Sequence, residues 1–232
     1  MLLEETPQNL FAKERIAISK FCLSQMKHVS LKDGIFIPLG YSPVFKPEGK
    51  KIDLPKKSAV FVGRIEEYKG VDILIKMFNE LKIKDAHLYI IGKKSCSQRY
   101  WSYLNKLFKY KNVHYLPNIG YKELPEYFRS AKVYAAATTW EGFGLPFIEA
   151  QACGIPAIGF NTSAIPETII HKKTGFLANN KEEFIKYLRI LLEDEEASKR
   201  MGKNGSKFVK DRFNWERISK QYLKVFEKCL KK

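Results

Sequence analysis

The sequence predicts an α/β fold in which a parallel sheet is covered by helices on both faces, and three observations carry that expectation. Short apolar runs such as Ala59-Val60-Phe61-Val62 and His87-Leu88-Tyr89-Ile90-Ile91 alternate with stretches whose apolar residues recur every three or four positions. A turn bearing glycine or polar groups follows these runs, at Gly63-Arg64, Gly92-Lys93, Asn118-Ile119 and Glu141-Gly142. Right-handed crossovers from strand to helix to strand make such a sheet parallel. All four turns then fall outside the carboxyl ends of strands, where ligands of open α/β sheets bind.

Taken in order, residues 1–50 hold two strand candidates, Ile16-Ala17-Ile18-Ser19 and Ile35-Phe36-Ile37-Pro38, with a short helix over 20–28 between them. A proline-marked connector, Gly40 to Pro47, follows. The regular pattern begins after Ser58 with the strand 59–62, then a helix whose inner face is Val71, Leu74, Ile75, Phe78 and Leu81. Next come the strand 87–92, a helix with Trp101, Leu104, Leu107 and Phe108, the strand 113–116 and a helix over about 122–131. The strand 133–137, a helix ending at Gly154 and the strand 156–160 complete the alternation. The tail is helical: 181–193, a lysine-rich helix over about 195–211, and a last amphipathic helix opened by Asn214-Trp215.

Composition sets the class. The chain has 232 residues, 45% hydrophobic and 28% charged, enough to bury a core. Its formal net charge of +16 favours polyanions such as nucleotide phosphates, nucleic acid or an anionic membrane surface, and does not choose among them. Cys22, Cys96, Cys153 and Cys229 lack metal-ligand spacing and no secretory leader precedes them, so reduced thiols in a cytoplasmic protein are expected, with Cys153 in the core. No apolar run has the roughly 18–20 residues that span a bilayer. The histidines His28, His87, His114 and His171 are scattered, and neither they nor an Asp-x-Asp pair supply a metal site.

Chemistry concentrates in Glu141-Gly142-Phe143-Gly144-Leu145-Pro146-Phe147-Ile148-Glu149, a strand-to-helix turn. Its glycines admit close backbone approach, and Pro146 suits the first helical turn. Unpaired N–H groups there favour an anionic or oxygen-rich guest, while Glu141 and Glu149 border one space suited to hydroxyl groups. Ordinary turn glycines and a solvated glutamate would explain the same residues.

This stretch, continued by Glu-Ala-x-Ala-Cys-Gly and Pro-x-Ile, resembles the donor-site motif of the retaining glycosyltransferases of family 4. The resemblance extends to Phe61-Val62-Gly63-Arg64-Ile65 with Lys69-Gly70, and to Ile165-Pro166-Glu167 with Thr174-Gly175-Phe176-Leu177. It implies one Rossmann-like half of a two-domain GT-B fold. Residues 1–50 are then a remnant of the acceptor-side domain with its linker, 51–213 the donor-binding domain, and 214–232 a helix that crosses back to brace the remnant. By the same resemblance Arg64 and Lys69 bind the donor diphosphate, and Glu149 accepts hydrogen bonds from the ribose. Glu141 faces the sugar hydroxyls, and the Phe143, Gly144 and Leu145 backbone lies beside sugar and phosphate. Gly63 and Gly92 belong to the donor site, and main chain at Ile119 lines the base, although Pro117 stands where the family usually has glycine.

The activity so implied is transfer of a sugar from a nucleotide-sugar with retention of configuration, by front-face attack that needs no protein nucleophile, cofactor or metal. A nucleotide-sugar binding module without turnover is the alternative. Fifty residues are fewer than an acceptor domain needs, so a second chain, a homo-oligomer or peripheral contact with the inner membrane surface is expected to complete the site. Phe11, Phe21, Trp215, Tyr222 and Phe226 would then partly face that interface. Nucleic acid is not expected as a partner, since no recognition motif accompanies the charge.

Overall fold

The computed structural model describes residues 12–27 and 34–231; Phe11 and His28 lie outside them. Two β-sheets are formed. The smaller pairs β1 (Ile16–Ala17) with β2 (Ile35–Phe36) in parallel, on either side of helix α1 (Lys20–Lys27). The larger has six parallel strands: β3 (Lys57–Val62), β4 (Ala86–Ile91), β5 (Val113–Leu116), β6 (Val133–Ala135), β7 (Ala157–Phe160) and β8 (Gly175–Ala178), in the spatial order β5-β4-β3-β6-β7-β8. Every connection is helical: α2 (Val71–Glu80), α3 (Gln98–Leu107), α4 (Leu124–Ser130), α5 (Leu145–Ala152) and the single turn α6 (Ile165–Thr168). The tail adds α7 (Lys181–Glu193), α8 (Glu195–Arg212) and α9 (Trp215–Leu230).

The central strands read as continuous apolar runs because helices cover both faces. Ala59, Val60, Phe61, Val133, Ala135, Ala157 and Ile158 are all buried, and the α2 residues expected to face inward pack against them. The lysine-rich helix α8 fits closely despite its polarity, because its glycines let backbone meet backbone. A Cβ on Gly202 would collide with the Gly154 carbonyl, and one on Gly205 would press on the buried Gln151 side chain. Cys153 is buried beside this contact, and burial pushes its thiol up to about 12, so it stays protonated.

The first segment does not stand alone. Ile37 packs with Ile218 and Val225 of α9 in a second small core that Ile16, Ile35, Tyr222 and Cys229 border. The last helix therefore braces the N-terminal segment, as expected. Strands shorter than expected, two residues each in β1 and β2, reflect how little ladder that segment shares. The sequence pattern also lacked β8 and α6, whose four residues each are too few for a period to show.

Candidate functional site

The strand order places a crevice. From β3 the chain steps outward to β4 and β5, then returns to β6 and steps the other way to β7 and β8. Loops after β3 and β6 therefore diverge, and the gap between them is where such sheets take ligands. Gly63 and Gly92 close the neighbouring strands β3 and β4, the Gly63 N–H donating to the Ile91 carbonyl at 3.0 Å. At φ 154° Gly92 approaches so closely that a Cβ would strike the Gly63 carbonyl.

Lys69 ends a 3-10 turn, Glu67–Lys69, stopped by Gly70 in the left-handed region at φ 62°. The Tyr68 carbonyl accepts from the Thr139 N–H at 2.9 Å and from Thr138 Oγ1 at 3.1 Å, which ties the turn to the chain beyond β6. Lys69 Nζ is thereby held 2.6 Å from Glu141 Oε1, with both side chains largely buried. Arg64 is placed differently. Its side chain is 68% exposed and its Nη1 lies 2.7 Å from Glu66 Oε1. Burial pushes the Glu66 carboxyl up, but hydrogen bonds from Tyr68 and Ser95 and the Arg64 and Lys69 charges outweigh it and hold the group below its ordinary value. The two cations expected as a diphosphate pair thus each carry a carboxylate, the Lys69 side chain being largely buried and the Arg64 side chain open to solvent.

The Glu141 loop is fixed from the far side of the crevice. Its N–H donates to Ser163 Oγ at 2.9 Å and its carbonyl accepts from the Ala164 N–H at 3.2 Å. The Phe143 ring is buried edge-on against Phe213, so that side chain serves the core. Gly144, at φ 92°, precedes Leu145 and Pro146, the first residues of α5, and no side chain caps that helix start. One turn on, Glu149 is buried, and desolvation pushes its carboxyl up to about 7 against the opposing pull of a hydrogen bond from Tyr121. Ile119 is half-buried against the core on the connection between β5 and α4.

Three functional neighbours escaped sequence reasoning. Tyr134 of β6 is buried, and burial, then the charges of Glu141 and Glu149, drive its hydroxyl well above the ordinary value, so both carboxylates bear on one phenol. Tyr121 donates to Glu149 Oε1 at 3.2 Å, and nothing in a loop tyrosine's sequence context signals that. Glu167 accepts from the Lys20 and Phe21 N–H groups, each at 2.9 Å, and so caps α1. The Cys22 thiol next to them donates to the Gly142 carbonyl at 3.2 Å, which seats α1 on the motif loop. Glu167 had a signal, its place in Ile165-Pro166-Glu167, but its partner lies 147 residues away. Two of the described histidines lie at the other end of the sheet: His87 and His114 stack on the starts of β4 and β5, with ring nitrogens 2.9 Å apart.

Residues 45–208 match the profile of the family described as glycosyl transferases group 1, a span that holds every residue discussed from Gly63 to Glu167. The chain belongs to that family. Among group 1 relatives, a probable sucrose-phosphate synthase of Thermosipho melanesiensis is 29% identical over 208 residues, covering 85% of this chain and 48% of the relative. The chain spans about half the length of the curated relatives it matches. Solved structures agree on the GT-B fold. A sucrose-phosphate synthase from Thermosynechococcus elongatus superposes with a TM-score of 0.80 at 25% identity, over 93% of this chain and 58% of that one. Anabaena HepE in complex with UDP-glucose gives 0.82 at 18% identity, over 94% and 64%.

Proposed function

We propose that the chain carries the donor half of a retaining, metal-independent glycosyltransferase that uses a nucleotide-sugar. The observation that carries this reading is the crevice between β3 and β6, where Lys69 from one loop meets Glu141 from the other, with Glu149 about one turn into the helix that follows. Glu149 accepts hydrogen bonds from the ribose hydroxyls, and Glu141 accepts them from the sugar. Lys69 spends one N–H on Glu141 and has two more for the diphosphate. Arg64 lays its planar fork on the same phosphates after leaving Glu66, which its exposure permits.

Negative charge grows on the departing diphosphate, so fixed cations in a desolvated crevice lower the barrier. In this reading Lys69 and Arg64 supply that neutralisation without a metal. Retention rests on the family resemblance and on front-face attack assisted by the leaving phosphate. The reported UDP-glucose complex of Anabaena HepE makes that donor the first to try.

Because the chain covers about half of its relatives, donor binding without turnover is the second reading, and an acceptor side completed by a second chain, a homo-oligomer or an anionic membrane surface belongs with the first. Trp215, Leu223 and Phe226 are exposed on α9 among Lys220, Lys224 and Lys228, as such contact needs. Phe21 and Tyr222 are instead half-buried within the chain. No helix of the described residues is long and apolar enough to cross a membrane, and a cytoplasmic setting at the inner membrane face fits the proposal.

Thermal shift with common nucleotide-sugars tests the binding, since a ligand of the native state raises the melting temperature by mass action. Turnover of labelled donor, alone, with candidate partner chains and with anionic vesicles, then separates transferase from binding module. Transfer that survives EDTA and yields the donor's anomeric configuration is the expected result. No shift and no heat with any nucleotide-sugar at millimolar concentration would refute both readings.

A further inference from the structure

Each charged side chain assigned to the donor is already paired inside the protein, and one of these pairings differs in kind. The Glu149 carboxylate is 6% exposed, and among the described residues its hydrogen-bond partner is the Tyr121 hydroxyl at 3.2 Å. A carboxylate offers about four acceptor sites, and buried ones are normally filled. The bond from Tyr121 fills one of those sites.

The group that makes this bond is not part of the core. Tyr121 is 52% exposed on the connection between β5 and α4, and its ring rests edge-on against Phe45 with centroids 5.3 Å apart. Beside it the backbone is fixed, since the Gly120 N–H donates to Glu123 Oε2 at 2.8 Å and the Glu123 N–H returns to the Gly120 carbonyl at 2.9 Å. Release of the carboxylate is then a rotation of the Tyr121 side chain, whose hydroxyl also meets the Ser42 side chain.

A phenol and a sugar hydroxyl are equivalent donors to a carboxylate oxygen. We propose that Tyr121 is a displaceable latch whose hydroxyl holds, on Glu149, the place that a ribose hydroxyl takes when the donor binds. The proposal rests on the reading of Glu149 as the ribose acceptor. Exchange of one phenol bond for two from a ribose makes displacement favourable for a nucleoside diphosphate. A ligand with phosphates and no ribose does not compete for Glu149, so the latch weakens nucleotide binding and leaves free polyphosphates unaffected.

Titration calorimetry on the wild type and Tyr121→Phe, with UDP, GDP, ADP and pyrophosphate as probes, tests it. Removing the competing hydroxyl while keeping the ring should tighten whichever nucleoside diphosphate binds the wild type by roughly 3- to 10-fold, the worth of one hydrogen bond, and leave pyrophosphate unchanged. Carbon-detected NMR of the Glu149 carboxyl, without ligand, should show its titration moved to higher pH in Tyr121→Phe. Equal or weaker nucleoside diphosphate binding by Tyr121→Phe, with wild-type binding intact, overturns the latch and leaves the donor site standing. Absence of nucleoside diphosphate binding in both proteins overturns the latch together with the reading beneath it.

Discussion

Replacing Glu149 by Gln should make the protein more stable in base and nearly neutral in acid. Burial raises the Glu149 carboxyl from 4.5 to about 7, a cost to its charged form of about 3 kcal/mol. The sign follows from linkage: the unfolded chain ionises near 4.5 and the folded chain near 7, so stability is greatest below the lower value. It falls as pH rises between the two and is flat above. Gln carries no charge at any of these pH values, and its carbonyl can still accept from Tyr121. The stability difference between variant and wild type should therefore grow from about 1 kcal/mol at pH 5 to about 3 kcal/mol at pH 8. For a chain of this size that swing is roughly 5–10 °C in melting temperature, read by scanning calorimetry at the two pH values. Every other titration is common to both proteins and cancels. Parallel stability curves would show that Glu149 ionises normally and that its burial carries no such penalty.

Two further outcomes follow from the same geometry. Donor hydroxyls need an ionised Glu149 as acceptor, so UDP affinity should rise as pH climbs through about 7 and level off beyond it, whereas Glu149→Gln should bind weakly with a flat profile through that range. Glu167→Ala should cost about 1–2 kcal/mol at α1, in the manner of a lost helix cap. Hydrogen exchange should show the Lys20 and Phe21 amides unprotected and strands β3 and β6 unchanged; protection kept at both amides would mean that Glu167 does not hold the segment.

The parts of this fold that were legible share one property, a period long enough to read. The helix α7, with Phe184, Leu188 and Leu191 buried, matches the expected span of 181–193 because three turns of spacing define it. β4 differs from the expected strand 87–92 by one residue at each end, its apolar run being bounded by Gly92. By contrast, β8 occupies four residues and carries no alternation to detect. The order β5-β4-β3-β6-β7-β8 is a long-range choice that no local pattern encodes, yet it is what brings Lys69 to Glu141 across 72 residues. For the same reason Arg64 and Lys69 look alike in sequence and differ in space. That the motif glycines serve the backbone was legible, and Gly144 adopts a left-handed conformation, but the reason for Gly202 lies in the Gly154 carbonyl, in the turn after α5.

That difference between the two cations bears on how they act. Lys69 is held against Glu141 in a buried pair, and its turn is tied to the opposite wall by the Tyr68 carbonyl. A charge fixed in advance, away from water, needs no reorganisation as the diphosphate departs. Arg64 stands largely in solvent and must leave Glu66, so screening weakens it and ordering it opposes binding. Arg64→Ala should accordingly weaken UDP by about 1–2 kcal/mol, spare uridine, and leave the melting temperature unchanged. Lys69→Met should destabilise the fold as well, by about 3 kcal/mol, because it strands a buried carboxylate. Adding Glu141→Gln to Lys69→Met removes that stranded charge, so the double variant should recover most of the lost stability while UDP binding stays weak. Calorimetric melting of the four proteins, with and without UDP, separates the two roles. If the double variant melts as low as Lys69→Met, the lysine stabilises through other contacts and the buried pair is not what fixes it.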